Sequence, residues 1–286
     1  MELQGVDQFK EMVQRLKRVQ DNKEKFSLPG VSLPVSLPNY LWIARRGGGI
    51  STCARAFAEF LYNARIIDFS GKGRHFEYTL AYIAPDAFFS ELTRLNNTIT
   101  EMAGHYRYFR GVACINIDQW TEHTNDLHFY KFLDYIASNN DKVLAILHVS
   151  SNDKDVVKTL EASLSSRIRC QTVRFRFPNA NELVELIEFK YFKQLGFRLA
   201  DDAKILLVDS IERIIDGEHF NGFSTIKQLA NDILFSLFES SISSYEVSAN
   251  MLVEYNRESA YVRRMITSGK TDKIIGFDIP TEEHYK

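Results

Sequence analysis

The stretch Tyr40-Leu41-Trp42-Ile43-Ala44-Arg45-Arg46-Gly47-Gly48-Gly49-Ile50-Ser51-Thr52 decides how the rest of the chain is read. It joins a short apolar run, a glycine-rich turn and a helix start with Ser-Thr, the parts of a phosphate-binding loop. In such a loop the glycines let backbone N–H groups approach the phosphates, and a lysine reaches the β- and γ-phosphates. The hydroxyl that follows holds Mg²⁺. The lysine position here is Ile50. Three alternatives stand at this point: a nucleotide site, a former one, or a chance cluster of glycines.

Outward from this stretch the hydrophobic pattern alternates between strand and helix. Tyr40–Ala44 is expected to be a buried strand, and Ser51–Ala64 a helix with Ala54, Phe57, Ala58 and Leu61 on its apolar face. Further strands are expected at Ile66–Phe69, Gly111–Ile117, Val143–Val149 and Thr172–Phe177. Helices are expected from Pro85 and Asp86, over Leu127–Ala137 and over about Asp153–Leu164. Strands separated by helical patterns imply crossover connections, hence an α/β fold with a doubly wound, five-stranded parallel sheet.

Upstream, Val6, Phe9, Met12, Val13, Leu16 and Val19 recur at helical spacing, with Lys10, Arg15, Lys17 and Arg18 on the other faces. Pro29, Pro34 and Pro38 make Phe26–Asn39 an extended connector. After Pro178 the strand pattern stops. Asn179 with Glu182 has the residue types of a capping box, opening a helix to about Gln194 that Gly196 ends. Ala203–Ile214, Thr225–Ser241 and Ala249–Ile266 continue as helices. The expected organisation is a helix and linker (1–39), an α/β domain (40–178), a small all-helical domain (179–266) and a surface tail (267–286).

Composition narrows the class. Apolar content of 45% and charged content of 25% are ordinary for a soluble globular protein of 286 residues. A formal net charge of −2 argues against a generic nucleic-acid binder. Cys53, Cys114 and Cys170 are odd in number and far apart, which fits buried thiols in a reducing compartment. No signal-peptide layout and no membrane-length apolar run is present, so a cytoplasmic location is expected.

Several residues could carry chemistry. Asp118, at the carboxyl end of a parallel strand, sits where open α/β sheets bind ligands and could hold Mg²⁺, or it could merely cap the loop. The next position, where a hydrolase places a glutamate to deprotonate water, is Gln119, whose amide cannot accept that proton. Ser150, Ser151 and Asn152 could contact a phosphate or water, although on spacing alone they fit a helix cap better. Arg167 could stabilise phosphate charge on an adjacent subunit or serve as a surface ion-pair residue. Lys227 stands near the start of a late helix. Two look-alikes are set aside. Ser268-Gly269-Lys270-Thr271 lacks both the first glycine, replaced by Arg264, and a preceding strand. His123 and His128 have no third ligand nearby, so a zinc site is not expected.

In this order and at these spacings the residues resemble the AAA+ ATPases, within the P-loop NTPase superfamily, nearest the CbxX/SpoVK branch. The opening Leu3-Gln4-Gly5-Val6-Asp7-Gln8-Phe9-Lys10 is similar to that branch's first segment, and Glu161 to Ile187 to its arginine-finger and lid region. The resemblance spans roughly residues 1–265 and implies a RecA-like domain followed by a helical lid. It implies that Arg46, Gly47, Gly48, Gly49, Ile50, Ser51, Thr52 and Lys227 surround the nucleotide, with Lys227 where arginine is usual at sensor 2. It implies Ser51 and Asp118 for Mg²⁺, Asn152 as sensor 1 and Arg167 as the finger acting in trans. Ile50, Gln119 and Ala44 depart from the pattern, which makes both Walker motifs degenerate.

The departures fit together chemically. Losing the lysine removes a charged hydrogen bond of about 1.5–3 kcal/mol, or roughly one to two decades of affinity. Losing the base disables water attack. The expectation is a module that binds ATP or ADP weakly or not at all and hydrolyses it very slowly or not at all. It would serve as an assembly or regulatory unit in a protein-remodelling complex. Its partners would be itself or an intact AAA+ protein in a ring-like assembly, with a protein substrate or regulator. Two alternatives stand beside it: an active ATPase with Arg45 or Arg46 in the lysine's role, and an inert clamp-loader-like subunit acting on DNA machinery.

Overall fold

The computed structural model describes residues 6–26, 37–66, 75–79, 85–103, 111–140, 143–151, 153–217, 220–239 and 244–252. The chain divides into two compact units, Met1–Pro178 and Asn179–Lys286.

In the first unit, helix α1 (Asp7–Phe26) precedes strand β1 (Asn39–Ile43), and α2 (Ile50–Asn63) and β2 (His75–Thr79) follow. Next come α3 (Pro85–Ala103), β3 (Gly111–Asn116), α4 (Leu127–Ser138), β4 (Val143–Val149), α5 (Lys154–Ser165) and β5 (Cys170–Arg174). The strands form one sheet in the order β2-β3-β4-β1-β5, with every neighbouring pair parallel. Because side chains alternate along a strand, β1, β3 and β4 each feed two cores. Leu41, Ile43, Ala113, Ile115, Ala145 and Leu147 pack under α3, α4 and α5. Tyr40, Trp42, Val112, Cys114, Leu144 and Ile146 pack under α1 and α2 on the other side.

The α1 stripe is buried over its first part, whereas Val13 is half-buried and Val19, also expected on the stripe, is exposed. Val6, just before the helix, and Phe9, Met12 and Leu16 within it are buried. Phe9 meets Trp42 edge-on at 5.5 Å between ring centroids and lies 5.9 Å from Phe175. Gln8 Oε1 also accepts the backbone N–H of Arg174 at 2.8 Å, pairing a donor on the edge strand β5.

The strand expected at Ile66–Phe69 is corrected for Ile66, and 67–69 lie outside the described residues. Arg65 turns into the left-handed region (φ 50), and its N–H reaches Tyr62 O while that of Ile66 reaches Leu61 O. This is a Schellman helix end, and buried Ile66 is its apolar closing residue. The strand next to β3 is His75–Thr79 instead. The last strand ends sooner than Thr172–Phe177 because β1 ends at Ile43. One further bond, Phe175 N–H to Ile43 O at 2.8 Å, closes the ladder.

In the second unit, Asn179 and Glu182 form the capping box of α6 (Ala180–Ile187), with bonds of 3.0 and 2.9 Å. A π-helical turn over Glu188–Phe192 and a 3-10 turn over Lys193–Leu195 carry the chain to Gly196, left-handed at φ 84. Then come β6 (Arg198–Leu199), α7 (Asp201–Ile215), α8 (Phe223–Glu239) and β7 (Glu246–Val247). The expectation of an all-helical unit is therefore corrected: β6 and β7 pair in parallel and bury Leu199 and Val247. Strands of two residues are too short to leave a periodic signal. A helix starts at Ala249; its continuation past Leu252, the tail 267–286 and connector residues 27–36 lie outside the described residues. Among the described residues no helix is long and apolar enough to cross a membrane.

Candidate functional site

The parallel sheet brings the carboxyl ends of β1, β3 and β4 to one edge, with Ile43 level with Val149 and Asn116 level with His148. The loop after β1 continues the ladder by one bond, Ala44 N–H to Val149 O at 3.1 Å, and then turns. The Gly48 N–H closes a tight turn onto Arg45 O at 2.9 Å. A Cβ on Gly48 would lie 2.7 Å from that same oxygen, so no larger residue fits this turn. Gly47 (φ 70) and Gly49 (φ 85) are left-handed, a conformation costly for residues with a Cβ. Gly49 is the N-cap of α2 and supplies no side-chain cap, and the first turn of the helix carries no acidic residue. The positive end of the α2 dipole therefore meets no carboxylate of its own first turn.

The side chains around this backbone are different. Ile50, at the lysine position, packs against the apolar cluster of α1, α2 and the sheet, as does Val13 of α1. Arg45 lies over the Phe177 ring, 5.9 Å from its centroid, and Arg46 is exposed. Ser51 and Thr52 are exposed on the first turn of α2.

One strand further along, beyond β4, Asp118 opens a short 3-10 turn over Asp118–Trp120. Its Oδ1 accepts the backbone N–H of Ser150, and its Oδ2 accepts the Asn116 side-chain amide at 3.0 Å. Asn116 Oδ1 in return accepts the Asp118 N–H at 2.9 Å, and the Thr121 hydroxyl donates to Asp118 O at 2.8 Å. Gln119 is exposed on the same turn. Asn152 lies outside the described residues. The cap of α5 is Asp153, whose carboxylate accepts from Asp155 and Val156.

The remaining candidates belong to other elements. Arg167, just past α5, donates to both carboxylate oxygens of Asp134 at 3.1 Å and lies 4.7 Å over the Tyr130 ring, so it ties the end of α5 to α4 of its own chain. Lys227 is exposed near the start of α8 in the second unit. The thiols of Cys53 and Cys170 are pushed up by burial to about 11 and about 12, so neither is a ready nucleophile. Among the described residues no group of three or more His, Cys, Asp or Glu is arranged to hold a metal ion.

Solved structures are similar to this chain in fold. An arginine-to-alanine variant of RuvB from Thermotoga maritima superposes with a TM-score of 0.52 at 12% identity, covering 87% of this chain and 68% of that one. PCH-2 from C. elegans superposes with a TM-score of 0.51 at 13% identity, with the same coverage of both chains. RuvB and PCH-2 are AAA+ ATPases, and what this chain shares with them is the fold. No family model matches the sequence, and no curated protein does.

AAA+ neighbours typically bind ATP or ADP with Mg²⁺. The loop backbone suits a phosphate, with left-handed glycines ahead of a helix that lacks a side-chain cap. The side chains do not suit the full ligand. The Ile50 side chain has no donor and packs, half-buried, against an apolar cluster, and each oxygen of Asp118 accepts a protein N–H group. Sequence reasoning missed Asn116 and the Ser150 N–H as the partners of Asp118. The Asn-Ile-Asp spacing at 116–118 was the available signal, since residues two apart can reach each other's side chain and backbone.

Proposed function

We propose that this chain is a degenerate AAA+ module that binds ATP or ADP weakly or not at all, and that it acts as an assembly or regulatory unit in a protein-remodelling complex. The observation that carries this reading is Ile50. Its half-buried side chain packs against the apolar cluster of α1, α2 and the sheet, so the charge that would hold the β- and γ-phosphates is replaced by packing. Gln119 adds a second deficit, because an amide cannot take a proton from water at neutral pH. The domains in this reading are the α/β unit around the loop and a following lid from residue 179. Its partners are a second copy or an intact AAA+ protein in a ring-like assembly. Arg167 is the candidate for completing a neighbour's site, for which its ion pair with Asp134 has to open first.

The test is steady-state phosphate release from clean protein, alongside titration of a fluorescent ATP analogue and light scattering with and without nucleotide. The expected result is release at background level, with affinity no tighter than high micromolar. Turnover at ordinary AAA+ rates that Asp118→Ala abolishes would sink the proposal.

A further inference from the structure

We propose that Asp118 is a structural staple between the ends of β3 and β4 and not a holder of Mg²⁺. The backbone ladder between these strands makes its last bond from Ile117 N–H to His148 O at 3.0 Å. Past that point the chains diverge, β3 into the turn at Asp118 and β4 toward the cap of α5. The Asp118 carboxylate then serves as the next rung. Its Oδ1 takes the Ser150 N–H from the far chain, and its Oδ2 takes the Asn116 amide from its own strand. The return bond from Asp118 N–H to Asn116 Oδ1 and the Thr121 hydroxyl on Asp118 O fix the backbone that carries it. An ionised carboxylate is an acceptor only, and N–H donors on both oxygens set its orientation. Mg²⁺ demands near-ideal octahedral geometry and a carboxylate oxygen aimed at the ion. Here the aim is set by Ser150 and Asn116. The staple does not depend on whether nucleotide binds, so it goes beyond the functional reading above.

The experiment is thermal unfolding of the full chain as wild type, Asp118→Asn, Asn116→Ala and the double variant, each in Mg²⁺ with ADP and in EDTA with ADP. Asp118→Asn keeps the shape but sets an NH₂ donor against existing N–H donors, and its Tm is expected to fall by roughly 5 °C. Asn116→Ala is expected to fall by less, and the double variant by less than the sum, because both changes act on one network. All of these shifts are expected to be the same in Mg²⁺ and in EDTA. The proposal is overturned if Asp118→Asn melts with the wild type. It is equally overturned if Mg²⁺ raises the wild-type Tm and Asp118→Asn loses that rise. Should Asp118→Asn fail to fold, Asn116→Ala carries the test, and an unchanged Tm there overturns the staple. Phosphate release and nucleotide titration read the functional proposal separately, so the two can fail independently.

Discussion

The ends of β1 and β3 flank β4 on one edge of the sheet, and under the proposed function they differ from a working phosphate site in opposite ways. At β1 the backbone is kept and the side chain is changed: Gly47 and Gly49 are left-handed, Gly48 closes a tight turn, and Ile50 packs against an apolar cluster. At β3 the acidic side chain of Asp118 is present, and Ser150 and Asn116 hold it. On the proposed reading, one site is altered in the residue itself and the other in its surroundings. Only the first kind of alteration is visible as a substitution.

The largest effect is expected where side-chain hydrogen bonds hold strand ends together. Asp118→Ala leaves the Ser150 N–H and the Asn116 amide without their acceptor and should lower unfolding free energy by roughly 3 kcal/mol, measured by denaturant titration. A loss under about 0.5 kcal/mol, the ordinary range of surface substitutions, would mean that water replaces the carboxylate at no cost. Gly48→Ala comes next. Its Cβ has to displace the Arg45 carbonyl, at roughly 1–3 kcal/mol, and the same titration reads it. A neutral outcome would show that the turn is not rigid.

Ile50→Lys sharpens the contrast most directly. If the loop backbone still cradles phosphate, analogue affinity should rise by roughly one to two decades. Phosphate release should stay at background because Gln119 is unchanged. No gain in affinity would mean that the backbone has lost its function along with the lysine. Arg167→Ala is expected to cost under about 1 kcal/mol, since an exposed ion pair contributes little, and double-mutant cycles with Asp134→Ala measure it.

The smallest effect lies in the acid limb. Asp126 caps α4, and the His128 backbone N–H bond holds its carboxyl below its ordinary value of 3.8, aided by the His128 side chain. A carboxyl lowered on folding stabilises fully above its unfolded value, and the gain is lost as pH falls through the folded one. Asp126→Ala should therefore lower stability at neutral pH and flatten its decline below about pH 4. Parallel curves for variant and wild type would assign that decline to other carboxyls.

Much of the fold was legible because long elements leave periodic signals. The α1 stripe, the β4 range Val143–Val149 and the Asn179–Glu182 capping box all follow from residue types at fixed spacing. Ile66 was misread because an apolar residue closing a helix looks like the first residue of a strand. The β6–β7 pair was missed because two residues carry no period. Of the site, the glycines and the missing lysine were legible, since glycine at a tight turn and a lost charge are properties of single positions.

The sequence by itself determined the alternation of strands and helices, the glycine turn between β1 and α2, and the apolar character of position 50. Each of these rests on local conformational preference or on the chemistry of one side chain. Only the tertiary structure decided that Ile50 packs against the cluster of α1, α2 and the sheet, that Asp118 spans to Ser150, and that Arg167 binds Asp134 in its own chain. The last two contacts join residues 32 and 33 positions apart. Parallel pairing and crossover packing bring such residues together, and no local pattern encodes that.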